Sequence, residues 1–341
     1  MRISTRQKIS ITVLLSAAVF LICVSIGSVR IPIFDIIQII GHIVFGFNLS
    51  DHITQPSVAI LWSTRLPRVL LAFFAGSSLS VSGAVMQSIL RNPLASSFTL
   101  GVSSGASLGA SLVIFLGVSL PILTLLTLPL LGFLFGLGTI ILSITFASRL
   151  DSRMENNTII LTGMVFSLFI NAITTLMFAL YRESIQRMIF WQMGSFSMRD
   201  WQAILILAPV TIAGVLYIFR FKQELDIMTF GDEQAKTIGI NSVRVKWKLL
   251  ISSAAITGST IAFTGVIGFI DLVTPHVIRK IFGSSHKYVI PMSALAGGAF
   301  MALCDLAARM VLPFRELPVG AVTAIIGAPF FAYVFFSKRN R

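Results

Sequence analysis

Long apolar runs recur along almost the whole chain, and they constrain its fold more than any other feature. Nine of them are long enough to cross a hydrocarbon core about 30 Å thick as a helix. They lie near residues 9–29, 64–90, 98–118, 121–147, 157–180, 202–221, 247–266, 289–308 and 316–336. With 55% hydrophobic and 11% charged residues, a water-soluble globule could not hide so much apolar surface. The sequence therefore predicts an all-α polytopic membrane protein.

A tenth, shorter segment spans residues 267–283 and is interrupted by Pro275. We expect it to cross as well, because only then do the cationic ends of its neighbours sort to one side. With the amino terminus inside, 18 of the 26 Lys and Arg residues lie inside and 8 outside, as the positive-inside rule requires. All the lysines then lie inside: Lys8, Lys222, Lys236, Lys246, Lys248, Lys280, Lys287 and Lys338. We therefore predict about ten transmembrane helices in a single domain over residues 1–341, with both termini cytoplasmic.

The composition also argues against several other classes of function. The net charge of +13 agrees with affinity for anionic lipid headgroups, and no basic run interleaved with aromatic residues points to nucleic acid. Cys23 and Cys304 lie in separate apolar runs, so neither a disulfide framework nor a metal site is predicted. In the segment 231–237, Ala235 occupies the position where a phosphate loop needs a glycine. We expect the chain to bind no ATP, cofactor or metal of its own.

The segment Lys222–Lys248 is a polar interruption between two apolar runs and carries four of the thirteen acidic residues. Residues 229–239 are typical of a short capped helix. Thr229, three residues before Asp232, fits a capping box, and Gly239 fits a left-handed stop. A solvated loop helix and a docking element for a soluble partner both agree with this pattern. The lack of an apolar core in the helix favours docking.

Several motifs follow one another between about Arg65 and Phe336. They occupy residues 65–68, 87–95, 101–109, 190–195, 265–279, 305–309, 316–320 and 327–330. Together they closely resemble the permease subunits of ABC importers for iron–siderophore complexes, haem and cobalamin. The resemblance implies a type II ABC importer permease fold of ten helices in the plasma membrane of a bacterium or archaeon.

The resemblance also implies partners and a mechanism. A homodimer would bind two ATPase subunits on its inner face and a substrate-binding protein on its outer face, although a paralogous permease could replace the second copy. The dimer would translocate an iron–siderophore complex by alternating access while the ATPases hydrolyse ATP, and haem, cobalamin or molybdate remain alternative cargoes. The residues that match the family's coupling helix are Gly231, Asp232, Glu233, Ala235 and Gly239, with Asp232 where glutamate is usual.

Three arginines, Arg65, Arg68 and Arg309, are predicted at the outer ends of spans, where a guanidinium can remain hydrated. Each could be an interfacial anchor. In the family that the chain resembles, arginines at these positions receive acidic residues of the binding protein, and the planar guanidinium suits carboxylates. Asp305 lies four residues before Arg309, a spacing that allows the two side chains to pair on a helix.

Small residues at four-residue spacing mark two of the spans. Gly101, Gly105 and Gly109 share a face of the third span and should allow a neighbouring helix to approach closely. The fifth span carries a small and polar stripe made of Gly163, Ser167, Asn171 and Thr175. Such a stripe either bonds to neighbouring helices or lines a wet passage. The resemblance favours the passage.

Two other classes of protein agree less well with the sequence than an ABC permease does. A secondary transporter would need an ion site near the midplane, whereas Asp271 and Asp305 are both predicted near span ends. A membrane-embedded enzyme would need clustered catalytic side chains, and four scattered histidines do not form such a cluster. Asp271 stands where the family has a small residue, so it either touches substrate or caps backbone donors. His276, after Pro275, is interpreted as structural.

Overall fold

The computed structural model describes residues 4–120, 123–197, 200–312 and 315–337, with the backbone alone for 333–337. No β-strand occurs in these ranges, so the all-α prediction is confirmed. The helices are α1 (Thr5–Ser25), α2 (Ile33–Phe45), α3 (Gln55–Ile89), α4 (Val102–Leu116), α5 (Thr127–Leu150), α6 (Asn156–Leu180), α7 (Ile185–Gln192), α8 (Trp201–Phe219), α9 (Lys222–Met228), α10 (Asp232–Thr237), α11 (Ser242–Thr264), α12 (Ile270–Phe282), α13 (His286–Met310) and α14 (Val319–Ser337).

Ten of these helices coincide with the ten predicted spans, namely α1, α3, α4, α5, α6, α8, α11, α12, α13 and α14. Six of the described helices, α1, α3, α5, α6, α8 and α13, are long and apolar enough to cross a membrane by length and composition. A helix satisfies its backbone polar groups internally, which a lipid environment demands. The predicted inner position of Lys338 lies outside the described residues.

Helix α2 was not predicted, because its 13 residues are too few to cross a bilayer. It lies between α1 and α3 and buries Ile36 and Ile39. The chain leaves it through Gly46, whose φ of 74° places it in the left-handed region that favours glycine. Helix α2 therefore extends the core beside α1 without forming a span.

Helix α3 forms the centre of the bundle, since nearly every residue of Leu66–Ile89 is buried. It packs closely on α13 where Gly76 meets Gly297: a Cβ added to Gly297 would lie 2.6 Å from the Gly76 carbonyl oxygen. A larger residue at either glycine would push the two helices apart. Helix α13 has 25 residues and hence a length of about 37 Å, so it connects the two ends of the molecule.

The predicted glycine face of the third span is confirmed for Gly105 and Gly109, whereas Gly101 lies just before the helix. A Cβ on Gly105 or Gly109 would overlap backbone carbonyl groups of α5, which shows how closely α4 and α5 approach. Gly101 precedes α4 with a φ of 95°, a conformation that a residue with a Cβ rarely adopts. These glycines act through packing and chain direction.

Segments with many lysines converge at one end of the bundle. The Lys8 ammonium donates to the Ile281 carbonyl at 2.6 Å, and Asp226, beyond α8, pairs with His286 at the start of α13. The other end of α13 carries Asp305 and Arg309. The bundle therefore has a lysine-rich end, with α9 and α10, and an opposite end, with the three arginines.

Candidate functional site

Helix α10, Asp232–Thr237, forms where a short capped helix was predicted, but its amino end differs from the prediction. The residue before the helix is Gly231, with a φ of 133° and no side-chain cap. The Thr229 hydroxyl donates instead to the Asp226 carbonyl at 2.6 Å. The predicted capping box is therefore wrong, because the preceding helix α9 already holds Thr229.

The carboxyl end of α10 agrees with the prediction. Gly239 has a φ of 84°, and its N–H donates to the Lys236 carbonyl at 2.9 Å, while the Ile240 N–H donates to the Ala235 carbonyl at 2.9 Å. These contacts close a left-handed helix stop. The short helix is therefore held at its carboxyl end by its own backbone.

The polar segment is anchored in the core, whereas the sequence predicted a helix without an apolar core. Leu225, Met228 and Ala235 are buried in the largest hydrophobic cluster of the described residues. Phe230 and Ile238, on either side of α10, are 75% and 66% exposed, and Glu233, Gln234, Lys236 and Thr237 are exposed between them. Helix α10 therefore presents a fixed surface that combines charge with two exposed apolar side chains.

Lys246, which belongs to the predicted polar segment, is buried inside the protein. Its side chain is 0% exposed, and its ammonium donates to Asp232 Oδ2 at 2.7 Å, Asn156 Oδ1 at 2.8 Å and the Met154 carbonyl at 2.8 Å. Ser242, Leu249 and Ser253 lie on the same face of α11 as Lys246, and they are buried too. The sequence did not indicate which three groups accept the hydrogen bonds of Lys246.

An open groove of about 950 Å³ lies beside α10. It is lined by α10 itself, by the start of α6 and by the connection between α5 and α6, with Arg91, Arg153, Glu155 and Phe230 among its residues. Charges of both signs and an aromatic ring therefore face one concave surface. This composition fits a protein surface with mixed charge better than a small apolar ligand.

The connection between α5 and α6 is organised by Asp151. Its carboxylate accepts the Glu155 N–H at 2.6 Å and the Arg153 N–H at 2.9 Å. These hydrogen bonds, the one from Glu155 first, hold the pKa of Asp151 below its ordinary value. The turn they form includes Met154, which has a φ of 50° and presents its carbonyl to Lys246.

At the opposite end, Arg65 and Arg68 are only 4% and 7% exposed, so the prediction that they remain hydrated is wrong. Arg65 closes a π-helical turn, Ile60–Arg65, within α3. Its guanidinium donates to the carbonyls of Val24, Ser25 and Val29 at 3.2, 3.0 and 2.7 Å. The carbonyl groups at the end of α1 and in the chain just after it therefore accept the hydrogen bonds of Arg65.

Arg68 joins three parts of the chain. Its Nε and Nη2 donate to Asp305 Oδ1 at 3.0 and 2.9 Å, and its Nη1 donates to Glu316 Oε1 at 2.7 Å. The predicted pairing of Arg309 with Asp305 is confirmed, with Nε 3.1 Å from Oδ2. Arg309 also donates through Nη2 to the Cys23 carbonyl at 3.3 Å. Asp305 therefore lies between two arginines and is fully buried.

Glu316 is the member of this network that reaches the surface, with 44% of its side chain exposed. The Ser197 hydroxyl donates to its Oε2 at 2.9 Å. Partial burial opposes ionisation, but the hydrogen bond and charge of Arg68 outweigh it and hold the pKa of Glu316 below its ordinary value. Neither the contact of Arg68 with Glu316 nor that of Glu316 with Ser197 was predicted from the sequence.

The polar stripe of the fifth span, α6, divides into two halves. Gly163 is buried against Leu100, and Ser167 lies close to Gly101 without a hydrogen-bond partner among the described residues. Asn171 and Thr175 are exposed, and the Thr175 hydroxyl donates to the Asn171 carbonyl at 2.8 Å. The first half therefore packs on the start of α4, and the second half is free to face a partner, lipid or a passage.

Asp271 lies in the first turn of α12 and is 2% exposed. Its backbone carbonyl accepts the Gln87 amide at 3.1 Å, and Arg279 donates to the other end of that amide. An acidic residue is favoured at this position by the helix dipole. Whether it also touches substrate stays a prediction.

Comparison with known proteins shows extensive similarity. A sequence model of the FecCD transport family matches residues 14–337. The chain is 38% identical over 318 residues to the uncharacterized ABC transporter permease protein YvrB of Bacillus subtilis strain 168, covering 93% of this chain and 90% of that protein. It is 36% identical over 280 residues to the Fe(3+) dicitrate transport system permease protein FecD of Escherichia coli K12, covering 82% and 86%.

The fold is also similar to a solved structure. A proposed metal-chelate type ABC transporter, captured in an inward-facing conformation, superposes with a TM-score of 0.83 at 28% identity. The similarity covers 96% of this chain and 97% of that one. It confirms the predicted fold class over essentially the whole described length.

Proposed function

This chain belongs to the FecCD transport family, the membrane permeases of ABC importers, and we propose that it carries a ferric siderophore complex by alternating access. The similarity to an Fe(3+) dicitrate permease supports a ferric chelate as the cargo. Residues 1–341 form one permease domain, which catalyses no reaction itself. Hydrolysis of ATP belongs to the partner subunits.

The observation that carries this proposal is the geometry of α10. An exposed helix of six residues, rigidly held on the core and beside a groove of mixed charge, is suited to receive an ATPase subunit. Glu233 offers the exposed charge, Ala235 anchors the helix, and Gly231 and Gly239 allow the chain to enter and leave it. Asp232 has a different role, because its carboxylate faces Lys246.

The orientation follows from the lysines. We assign the lysine-rich end, with α9 and α10, to the cytoplasm, together with both termini, because cytoplasmic loops carry the excess of positive charge. The end with Arg65, Arg68 and Arg309 then faces outward and receives the substrate-binding protein. Since the three guanidinium groups are engaged within the chain, we propose that they hold the shape of this platform while Glu316 and its exposed neighbours make the contacts.

The passage itself would form between two copies of the chain. We propose a homodimer in which the exposed half of the α6 stripe, Asn171 and Thr175, faces the axis, with Gly163 and Ser167 fixing α6 against α4. A small and mildly polar wall suits an intact chelate, whose metal keeps its own ligands throughout. No ligand of the metal needs to come from the permease.

Co-purification and uptake test the proposal. The tagged permease, expressed together with its ATPase and its binding protein, should co-purify two ATPase subunits per permease dimer. In proteoliposomes the complex should take up a ⁵⁵Fe-labelled ferric hydroxamate siderophore only with ATP and the binding protein. Uptake of haem or cobalamin in place of the ferric chelate would contradict the proposed cargo. Uptake that persists without any ATPase would contradict the mechanism.

A further inference from the structure

The Lys246 ammonium is the meeting point of three separate segments. An ammonium has three N–H donors and no acceptor, and here all three are engaged, at 2.7 to 2.8 Å. One donor goes to Asp232 in α10, one to Asn156 at the start of α6, and one to the Met154 carbonyl in the connection before α6. Lys246 itself belongs to α11.

Burial makes this arrangement demanding. A charged group removed from water is stable only when its hydrogen bonds and its counter-charge are all in place. With 0% exposure, Lys246 loses favourable interactions as soon as α10 moves without α6, or α6 without α11. The three segments are therefore held in one relative position by a single side chain.

Both acceptor sides are rigid. The Met154 carbonyl is fixed by the turn that Asp151 organises, and Asp232 is the first residue of a helix closed at its other end by Gly239. Asn156 is the first residue of α6, the helix that carries Asn171 and Thr175. A displacement at α10 consequently reaches the stripe of α6 through two hydrogen bonds and no flexible loop.

We propose that Lys246 is the joint that transmits movement of α10 to α6, so that closure of the ATPase subunits moves the helix along the passage. This inference rests on the proposed function, because it assumes that α10 receives the ATPase. It assigns Asp232, Asn156 and Lys246 a positioning role, distinct from the contact role of Glu233.

The test measures nucleotide-driven movement of α6 directly. Spin labels at Leu161 in α6 and Leu205 in α8, both exposed, report the distance between these helices in the full complex once Cys23 and Cys304 are replaced by alanine. ATP should shift this distance in the wild type. Lys246→Met should abolish the shift, and Asn156→Ala, which keeps the Lys246–Asp232 pair, should at least halve it. Lys248→Met removes an exposed lysine two residues away and should leave the shift unchanged.

The possible outcomes distinguish a failure of the proposed role of Lys246 from a failure of the proposed function. A lower unfolding temperature combined with a full ATP-driven shift in the Lys246 and Asn156 variants would show a structural role only and overturn the joint. If Lys246→Met does not fold, Asn156→Ala alone decides between the two results. Wild-type permease that binds no ATPase subunit would instead refute the proposed function, as no ATP-dependent state could then exist.

Discussion

The Arg68 guanidinium donates to the Asp305 carboxylate at 2.9 and 3.0 Å, although 237 positions separate the two residues. Asp305 is fully buried, and it also pairs with Arg309 one turn further along α13. This cluster ties α3 to α13 at the end with the three arginines, while Lys246 ties α10 and α6 to α11 at the lysine-rich end. Each end of the bundle is therefore held by a buried charge, and the exposed groups around it are left for partners.

Replacing Asp305 by asparagine should strongly destabilise the protein, because Arg68 and Arg309 would both lose their buried counter-charge. Removing one partner of a buried ion pair costs about 3–5 kcal/mol. Glu316→Gln is the matched control, since its half-exposed carboxylate should contribute about 1 kcal/mol or less. Unfolding in detergent, followed by intrinsic fluorescence, measures the free energy of unfolding of both variants. Equal stability of the two variants would contradict the prediction that Asp305 contributes more than Glu316.

Acidification should remove the contribution of Glu316. Its pKa in the folded protein is lowered, so its stabilising effect is complete above the unfolded pKa of about 4.5 and is lost as the pH falls through the folded value. The difference in unfolding temperature between wild type and Glu316→Gln should therefore be constant from pH 7 to pH 5 and shrink as the pH falls below the unfolded pKa of about 4.5. A difference that grows on acidification would have the wrong sign.

Charge reversal at Glu233 should impair assembly with the ATPase. Glu233 is exposed on α10, so Glu233→Arg costs little folding free energy but reverses the charge that faces the groove. We expect the affinity for the ATPase subunit to fall at least tenfold. Glu183→Arg, the same change at an exposed site before α7, is the control and should bind normally. Normal binding by both variants would remove Glu233 from the interface.

The spans were predictable because lipid imposes a length and a composition on every crossing helix. Their ends were less so: α1 begins at Thr5, before the predicted 9, because Ser4 and Gln7 form a capping box in its polar first turn. Likewise α11 begins at Ser242, before the predicted 247, because the Asn241 side chain caps it by accepting the Arg244 N–H at 3.0 Å. A window of hydropathy cannot register either effect.

The partners of charged residues were the part that could not be predicted. The i, i+4 spacing of Asp305 and Arg309 was readable along one helix, and the pair is present. The contacts of Arg68 with Glu316 and of Lys246 with Met154 depend on which distant segments pack together. Sequence pattern places a residue on a helix face, and only the packed bundle determines what that face meets.

Binding of the substrate-binding protein should respond to exposed charge at the end of the bundle with the three arginines, which we propose faces outward. Arg315 is exposed beside Glu316, and reversing it should weaken binding about tenfold at low salt, with a smaller effect at 0.5 M salt because screening shortens the range of the charge. Arg68→Gln should instead lower the unfolding temperature, since Arg68 is buried. Titration of the binding protein against permease in nanodiscs measures the affinity. An unchanged affinity of Arg315→Glu at low salt would place the docking surface elsewhere.

Obstruction of the proposed passage is best tested at Asn171 and Thr175. Ser167 is a poor probe, because its hydroxyl lies close to Gly101 and a tryptophan there would disturb the packing of α6 on α4. Asn171 and Thr175 are exposed in the single chain, so Asn171→Trp and Thr175→Trp add bulk without displacing a neighbour. If they face the dimer axis, both should block uptake of the ferric chelate. Asn171→Ala should remain nearly as active as wild type, since a wide wall loses little when one polar group is removed.

Leu176→Trp, also exposed but on another side of α6, is the control and should transport normally. Full uptake by both stripe variants would exclude this half of α6 from the passage, and equal loss in all three tryptophan variants would point to a general sensitivity of the helix.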